Sequence, residues 1–179
     1  MITFRKLFPE AEIPQIATVG SACADAFACL LDGQNITSFN GSNQEYTRKI
    51  TGGSVNIHPG ERVLIPLGWA VKMPKDVSMR IYSRSGLALK QGIVVANGEG
   101  IVDSDYRNPV YAIIGNMSSR WATITHGTRI CQIEFVKRES FITSITPDIE
   151  DSEWFDTERT GGFGSTGLLT VNANGDTLH

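Results

Sequence analysis

Between Tyr82 and Arg107 the chain reads YSRSGLALKQGIVVANGEGIVDSDYR, and most of its residues suited to chemistry lie in this stretch. Arg84 is a forked, permanently charged cation matched to phosphate oxygens. A serine at 83 or 85 is suited to cap a helix start, where free N–H groups and the positive dipole end face an anion. Gly86 removes a side chain where a ligand approaches closely. Asn97-Gly98 divides two apolar runs and is a hairpin signal, because a type I′ turn needs positive φ at both central residues. Gly100, just beyond, leaves backbone open to a flat ligand. Asp103, Ser104, Asp105, Tyr106 and Arg107 then bring two carboxylates, an aromatic ring and a cation, with Asp103 as a candidate general base. A phosphate cradle, an exposed hairpin and a base within one segment suit a phosphorylated small molecule.

These residues need a scaffold, and the pattern supplies one. The spacing predicts a single short helix over 85–91, ended by Gly92 in the left-handed conformation. Elsewhere the apolar residues alternate in short runs. Strands are expected at Ile2–Leu7, Ser54–Ile57, Arg62–Pro66, Trp69–Met73, Val77–Tyr82, Val110–Ile114, Trp121–Ile124 and Arg129–Val136, with Gly and Pro between them. That is an all-β barrel or sandwich, jelly-roll-like. Residues 31–53 are rich in Gly, Asn, Ser and Thr and read as a loop or small hairpin inserted on the surface.

Composition narrows the class. With 179 residues, one domain is the default. A net charge of -3 gives nucleic-acid binding no electrostatic support, so a polyanionic ligand must meet a local cluster of cations or a metal. Cys23, Cys29 and Cys131 form no CxxC pair, which suggests reduced thiols in a cytosolic setting. No apolar run is long enough for a membrane span, and the first residues lack the apolar core of a signal peptide.

Three more segments carry candidates. In the run 17–28, an extended chain puts Cys23, Asp25 and Phe27 on one face. Asp25 is either exposed at a strand edge or, if buried, needs a partner. In Arg129-Ile130-Cys131-Gln132, regular alternation sets Arg129 and Cys131 on one face, Ile130 and Gln132 on the other. Near the C-terminus, Arg159-Thr160-Gly161-Gly162-Phe163-Gly164-Ser165 is a flexible tail on composition. It is equally an arm that closes on a ligand, with N–H groups on phosphates and Phe163 on a base.

Taken together, Arg84-Ser85-Gly86-Leu87-Ala88, the Asn97-bearing turn followed by Gly100-Ile101-Val102-Asp103-Ser104-Asp105-Tyr106-Arg107, the Asp25 segment, Arg129 to Gln132 and the glycine-rich arm resemble the five motifs of the trimeric dUTPase family, in family order. The sequence departs from that pattern at Cys23 and Ala24, where the family often has glycine and an aromatic. It departs again at Cys131, commonly alanine, and in having one residue between Arg159 and Gly161 where the family usually has two. The family is also usually shorter across 31–53.

The resemblance implies a jelly-roll-like β-clip domain over residues 1–156 with a flexible arm and tail over 157–179. It implies a cytoplasmic homotrimer with shared active sites, bound to neither nucleic acid nor membrane. The implied reaction is hydrolysis of dUTP to dUMP and pyrophosphate with Mg2+. Asp103 is then the general base, and Asp25 holds magnesium waters. Arg84, Ser85, Gly86, Gln132 and Arg159 bind phosphate. Asn97, Gly100 and Val102 meet uracil, Tyr106 packs under the deoxyribose, and Phe163, Gly164 and Ser165 belong to the closing arm. Arg129 is mainly a structural ion-pair partner, and Asp105 and Arg107 form an ion pair at the subunit interface. Two alternatives are a dCTP deaminase on the same fold and a member that acts by binding a protein partner.

Overall fold

Short runs that alternate apolar and polar residues become strands because each can bury only one of its two sides. A computed structural model describes residues 1–139. The strands are β1 (Thr3–Lys6), β2 (Gln15–Ile16), β3 (Ala24–Phe27), β4 (Asn35–Phe39), β5 (Glu45–Lys49), β6 (Ser54–Ile57) and β7 (Arg62–Pro66). They continue with β8 (Trp69–Lys72), β9 (Val77–Ser83), β10 (Ile93–Val95), β11 (Gly100–Val102), β12 (Tyr111–Asn116), β13 (Ala122–Thr125) and β14 (Arg129–Lys137). The helix α1 spans Ser85–Gln91, as the spacing predicts.

The strands form two five-stranded sheets, ordered β10-β12-β7-β4-β5 and β11-β9-β14-β3-β2, and two two-stranded sheets, β1-β8 and β13-β6. One core is common to both large sheets, with Ile36, Val63, Ile65 and Ile114 from the first and Ala26, Met79, Ile81 and Ile133 from the second. The expected all-β, jelly-roll-like fold is therefore present as two open sheets rather than a closed barrel. No helix of the described residues is long and apolar enough to cross a membrane.

Several local expectations change. The extended run expected over 17–28 is confined to β3, because residues 18–21 turn, with the Ser21 N–H donating to the Thr18 carbonyl at 3.0 Å. No serine caps α1. The cap position is Arg84, and the Ser83 hydroxyl instead accepts the Val95 N–H at 2.8 Å, which ties the helix start to β10. Gly92 does end the helix with φ 67°, its N–H reaching the carbonyls of Leu87 and Ala88.

Asn97-Gly98 does not close a hairpin. β10 pairs with β12 while β11 pairs with β9, so the turn crosses from one sheet to the other. Gly98 has φ 74°, but Asn97 is not at positive φ, so the turn is not type I′. A hydrogen bond from the Gly98 N–H to the Val95 carbonyl at 3.0 Å closes it around Ala96 and Asn97.

Residues 31–53 do contain a hairpin, β4 and β5, paired from Asn35↔Lys49 to Phe39↔Glu45. They are not merely a surface insert. β4 also pairs with β7 at Ser38↔Val63 and Phe39↔Arg62, which widens the sheet, and Ile36 and Ile50 enter the core. Glu61, only 1% exposed, pins this hairpin. It accepts the Tyr46 hydroxyl, pairs with Arg48 Nη2 at 2.6 Å and accepts the His58 N–H at 2.7 Å. A carboxylate this deep is tolerated only while such partners remain.

Replacing Glu61 with alanine removes the acceptor of all three bonds. The expected loss is about 2–4 kcal/mol, within the range for breaking a buried hydrogen-bonded pair, and urea unfolding measures it.

Candidate active site

Asp25 is 8% exposed, so the exposed-edge alternative is overturned and the partner that burial demands is present. Arg84 Nε meets one carboxylate oxygen at 2.9 Å, and Arg129 Nη1 lies 3.4 Å from the other. Arg84 Nη1 also donates to the Arg129 carbonyl at 3.0 Å. Arg129 is thus the ion-pair partner expected of it.

The face assignment along β14 is corrected. Pairing with β3 steps from Arg129↔Phe27 to Cys131↔Ala26, leaving Ile130 as the extra residue of a bulge. A bulge shifts the side-chain alternation by one residue. Arg129 and Gln132 therefore share the face of Asp25, and Ile130 and Cys131 are both buried. Gln132 stands opposite Asp25 on one side and Tyr82 on the other. Asp25, Arg84, Arg129 and Gln132 form one cluster, with Ser85 and Gly86 opening α1 beside it.

A second group gathers elsewhere. Asn97, Gly100, Val102, Asp103 and Tyr106 line a cleft of about 460 Å³ together with Leu64, Ile81, Tyr111 and Ile113. Asp103 is exposed there and accepts the Tyr106 N–H on its backbone carbonyl at 3.1 Å. Tyr106 is half-buried against the core, its hydroxyl donating to the Pro109 carbonyl at 2.9 Å. A β-carbon on Gly100 would sit 3.0 Å from Ile81 Cβ, so its lack of a side chain lets β11 lie close to β9. Two anchors hold the turn before it. Asn97 Nδ2 donates to the Glu99 carbonyl at 3.2 Å, and Glu99 pairs with Arg80 of β9 at 3.0 Å.

Asp103 and Arg84 lie at opposite ends of β9. Val102 stands opposite Met79, so Asp103 lies level with Ser78, while Arg84 follows the last residue of the strand. Six residues of extended chain separate those levels, roughly 20 Å at the strand rise. Within one chain Asp103 and Arg84 are well apart.

Asp105 is in no ion pair among the described residues, and Arg107 Nη1 instead holds the carbonyls of Ser104 and Tyr106 at 2.7 and 2.9 Å. Arg159, Phe163, Gly164 and Ser165 lie outside the described residues, as does the expected arm. Sequence reasoning missed the Arg80–Glu99 pair and the cleft walls Leu64, Tyr111 and Ile113. Those walls are ordinary strand residues, and only the non-local pairing of β12 with β7 signals them.

Among the described residues, no three His, Cys, Asp or Glu side chains gather as a metal cage. Asp25 is the sole carboxylate of its cluster, with Arg84 and Arg129 each engaging one oxygen and lone pairs left over. That donor set fits a magnesium ion carried by substrate phosphates and touched through water, because magnesium keeps several waters.

The family model for dUTPase matches residues 53–167. The deoxyuridine 5'-triphosphate nucleotidohydrolase of Treponema pallidum is 34% identical over 166 residues, covering 91% of this chain and 95% of that protein. A Staphylococcus bacteriophage 80alpha dUTPase variant, solved with dUpNHpp, superposes with a TM-score of 0.70 at 19% identity, over 94% of this chain and 99% of that one. A variant dUTPase from phage phi11 of S. aureus, whose structure concerns a structural Mg(II) ion, gives 0.65 at 17% identity over 84% and 99%. The last two likenesses concern the fold. The chain belongs to the dUTPase family.

All three cysteines are free thiols. Burial, with a smaller contribution from the Asp25 charge, pushes the Cys131 thiol from 9.0 up to about 12, against the pull of Arg84. Iodoacetamide at mildly alkaline pH should therefore spare Cys131 in the folded chain and label it after unfolding. Because the folded thiol is the weaker acid, its contribution to stability is complete below pH 9.0 and is lost as pH rises toward about 12, which unfolding across that window reads.

Proposed function

We propose that this chain is a dUTP diphosphatase that hydrolyses dUTP to dUMP and pyrophosphate. One observation carries the site assignment. Asn97, Gly100, Val102, Asp103 and Tyr106 line a single cleft, with an exposed carboxylate beside a turn anchored in both large sheets. In this reading uracil enters the turn and pairs with Asn97 and the backbone near Gly100. A tight turn crowds out the 5-methyl of thymine. Cytosine is rejected because its donor and acceptor at ring positions 3 and 4 are reversed, which leaves buried polar groups unpaired. Tyr106 packs under the deoxyribose and refuses a 2′-hydroxyl.

Asp103 acts as general base. It accepts a proton from a water that attacks the α-phosphorus, and the new P–O bond forms as the bond to pyrophosphate breaks. Arg84, Gln132 and the first N–H groups of α1 at Ser85 and Gly86 bind phosphate oxygens, helped by the absence of any side-chain cap on that helix. Asp25 fixes Arg84 at the phosphate end and holds the waters of a magnesium ion. When bound, that ion neutralises charge developing on the phosphates. Arg159, Phe163, Gly164 and Ser165 complete the site from the arm.

The assembly in this reading is a homotrimer, and the roughly 20 Å between Asp103 and Arg84 along β9 supports sites shared between its copies, because these two residues of one chain are too far apart to serve one α-phosphate. Each site then takes its base-reading cleft from one copy and its phosphate cluster from another.

Pyrophosphate release should occur with dUTP and magnesium, and not with dTTP, dCTP or UTP. Asp103→Asn should lower it about 100- to 10,000-fold, the usual worth of a positioned base. An active Asp103→Asn variant would remove Asp103 from that role. Arg84→Ala should also be nearly inactive. Refolding the two inactive variants together should restore activity, because mixed trimers contain sites with Asp103 from one chain and Arg84 from the other. Absence of complementation, with mixed assembly confirmed by mass, would show that sites are not shared.

A further inference from the structure

The turn around Ala96 and Asn97 rests on β12. A β-carbon on Gly115 of that strand would sit 3.1 Å from the Ala96 β-carbon. Carbon atoms in contact prefer about 3.5–4.0 Å, so the Ala96 methyl occupies the place of a Gly115 side chain. Crowding of this kind is rare. Among the described glycines that lie outside the left-handed region, only Gly100 and Gly115 would bring a β-carbon within 3.4 Å of a neighbour. Both flank the same turn. Gly100 seats the chain leaving it on β9, and Gly115 seats the chain entering it on β12, so each large sheet supplies one notch. Gly100 belongs to the cleft, whereas Gly115 does not line it.

We propose that Gly115 is a positioning residue for the base-reading turn, and that its missing side chain sets how firmly this chain excludes the 5-methyl group of thymine. The proposal rests on the reading in which uracil enters that turn. A methyl group added at Gly115 must push a neighbour aside by a few tenths of an ångström. β12 does not yield. It is paired on both sides, with β10 and β7, and Ile114 next to Gly115 is wholly buried. The Asn116 amide then holds the carbonyls of Ile57 and Arg120 at 2.8 and 2.7 Å. Ala96 yields instead, because it is exposed and leans on β12 from outside, its N–H on the Ile113 carbonyl. Asn97 follows across a planar peptide and moves with it. Since Asn97 lines the cleft, the shift reaches the residue that meets the base.

The test is steady-state hydrolysis of dUTP by the full-length chain, with dTTP as competitive inhibitor. Gly115→Ala should raise KM for dUTP about 3- to 10-fold, a fraction of what a misplacement of about 1 Å costs. It should leave kcat within about twofold, because contacts to the base are made in the ground state and the transition state alike. The ratio of the dTTP inhibition constant to that KM should fall about as far, since a displaced turn loses uracil contacts without adding bulk against the methyl group. A merely structural role would lower the melting temperature and the active fraction while leaving KM and the ratio alone. Ala96→Gly/Gly115→Ala moves the methyl group across the contact and should bring both values back to within about twofold of wild type. Ala96→Val crowds the same notch from the exposed side, so it should reproduce the Gly115→Ala result with β12 unaltered, even if Gly115→Ala does not fold. A wild type that does not hydrolyse dUTP, or that binds dTTP equally well, would overturn the reading of the reaction and this inference with it. With a selective wild type, unchanged KM and ratio in Gly115→Ala, or a double variant no nearer to wild type than the single one, would overturn the inference alone.

Discussion

A carboxylate removed from water needs cationic or hydrogen-bonding partners, and Asp25 imposes that constraint on this fold. Its two partners come from distant parts of the chain, Arg84 from the junction of β9 with α1 and Arg129 from the start of β14. Satisfying one side chain therefore fixes the relation of β3, β9 and β14. The bulge at Ile130 belongs to the same solution. Without the extra residue, Arg129 and Gln132 would point to opposite faces, and only one of them would stand over Asp25. Arg84 is held at Nε, with Nη1 on a carbonyl, so its rotamer is set before any ligand arrives. A cation held this way has little rotamer freedom left to lose.

The second constraint is the register of β9. It pairs with β11 through Met79 to Ile81 and with β14 along its whole length. The strand thus holds Asp103, level with Ser78, well apart from Arg84, which follows its last residue.

What the sequence disclosed was what local pattern encodes. The helix at 85–91 and nearly every strand from Ser54 onward were legible, because period-two alternation and Gly or Pro punctuation act over a few residues. The grouping of Asp103, Tyr106, Asn97 and Gly100 was legible through spacing within one segment, and they line one cleft. Long-range pairing stayed hidden. Asn97-Gly98 carries the dipeptide of a type I′ hairpin, yet its flanking strands find better partners in different sheets. Tertiary pairing overrode turn preference there. The same holds for Glu61, whose partners Tyr46 and Arg48 lie in a segment that composition marks as a loop or small surface hairpin. Buried networks gather residues from several elements, and no single window contains them. The alternation along β14 failed for a smaller reason, one inserted residue that a period-two reading cannot register.

The sheet-crossing turn is, in physical terms, more firmly held than the hairpin expected in its place. A hairpin tip is tied only to its own two strands and can sway with them. This turn is held from both sides. Ala96 donates its N–H to Ile113 in one sheet at 2.8 Å, and Glu99 pairs with Arg80 in the other. The two sheets bury a common core, so displacing the turn means shearing one against the other, and a packed core resists that. Discrimination by crowding requires walls that do not yield, since a site that relaxes by a few tenths of an ångström admits one more methyl group at little cost. Gly100 contributes by letting β11 approach Ile81 closely, which leaves no slack beneath the turn. Rigidity of this kind comes from topology rather than from any residue of the motif, which is why the motif residues could be named from the sequence while the reason they hold their positions could not.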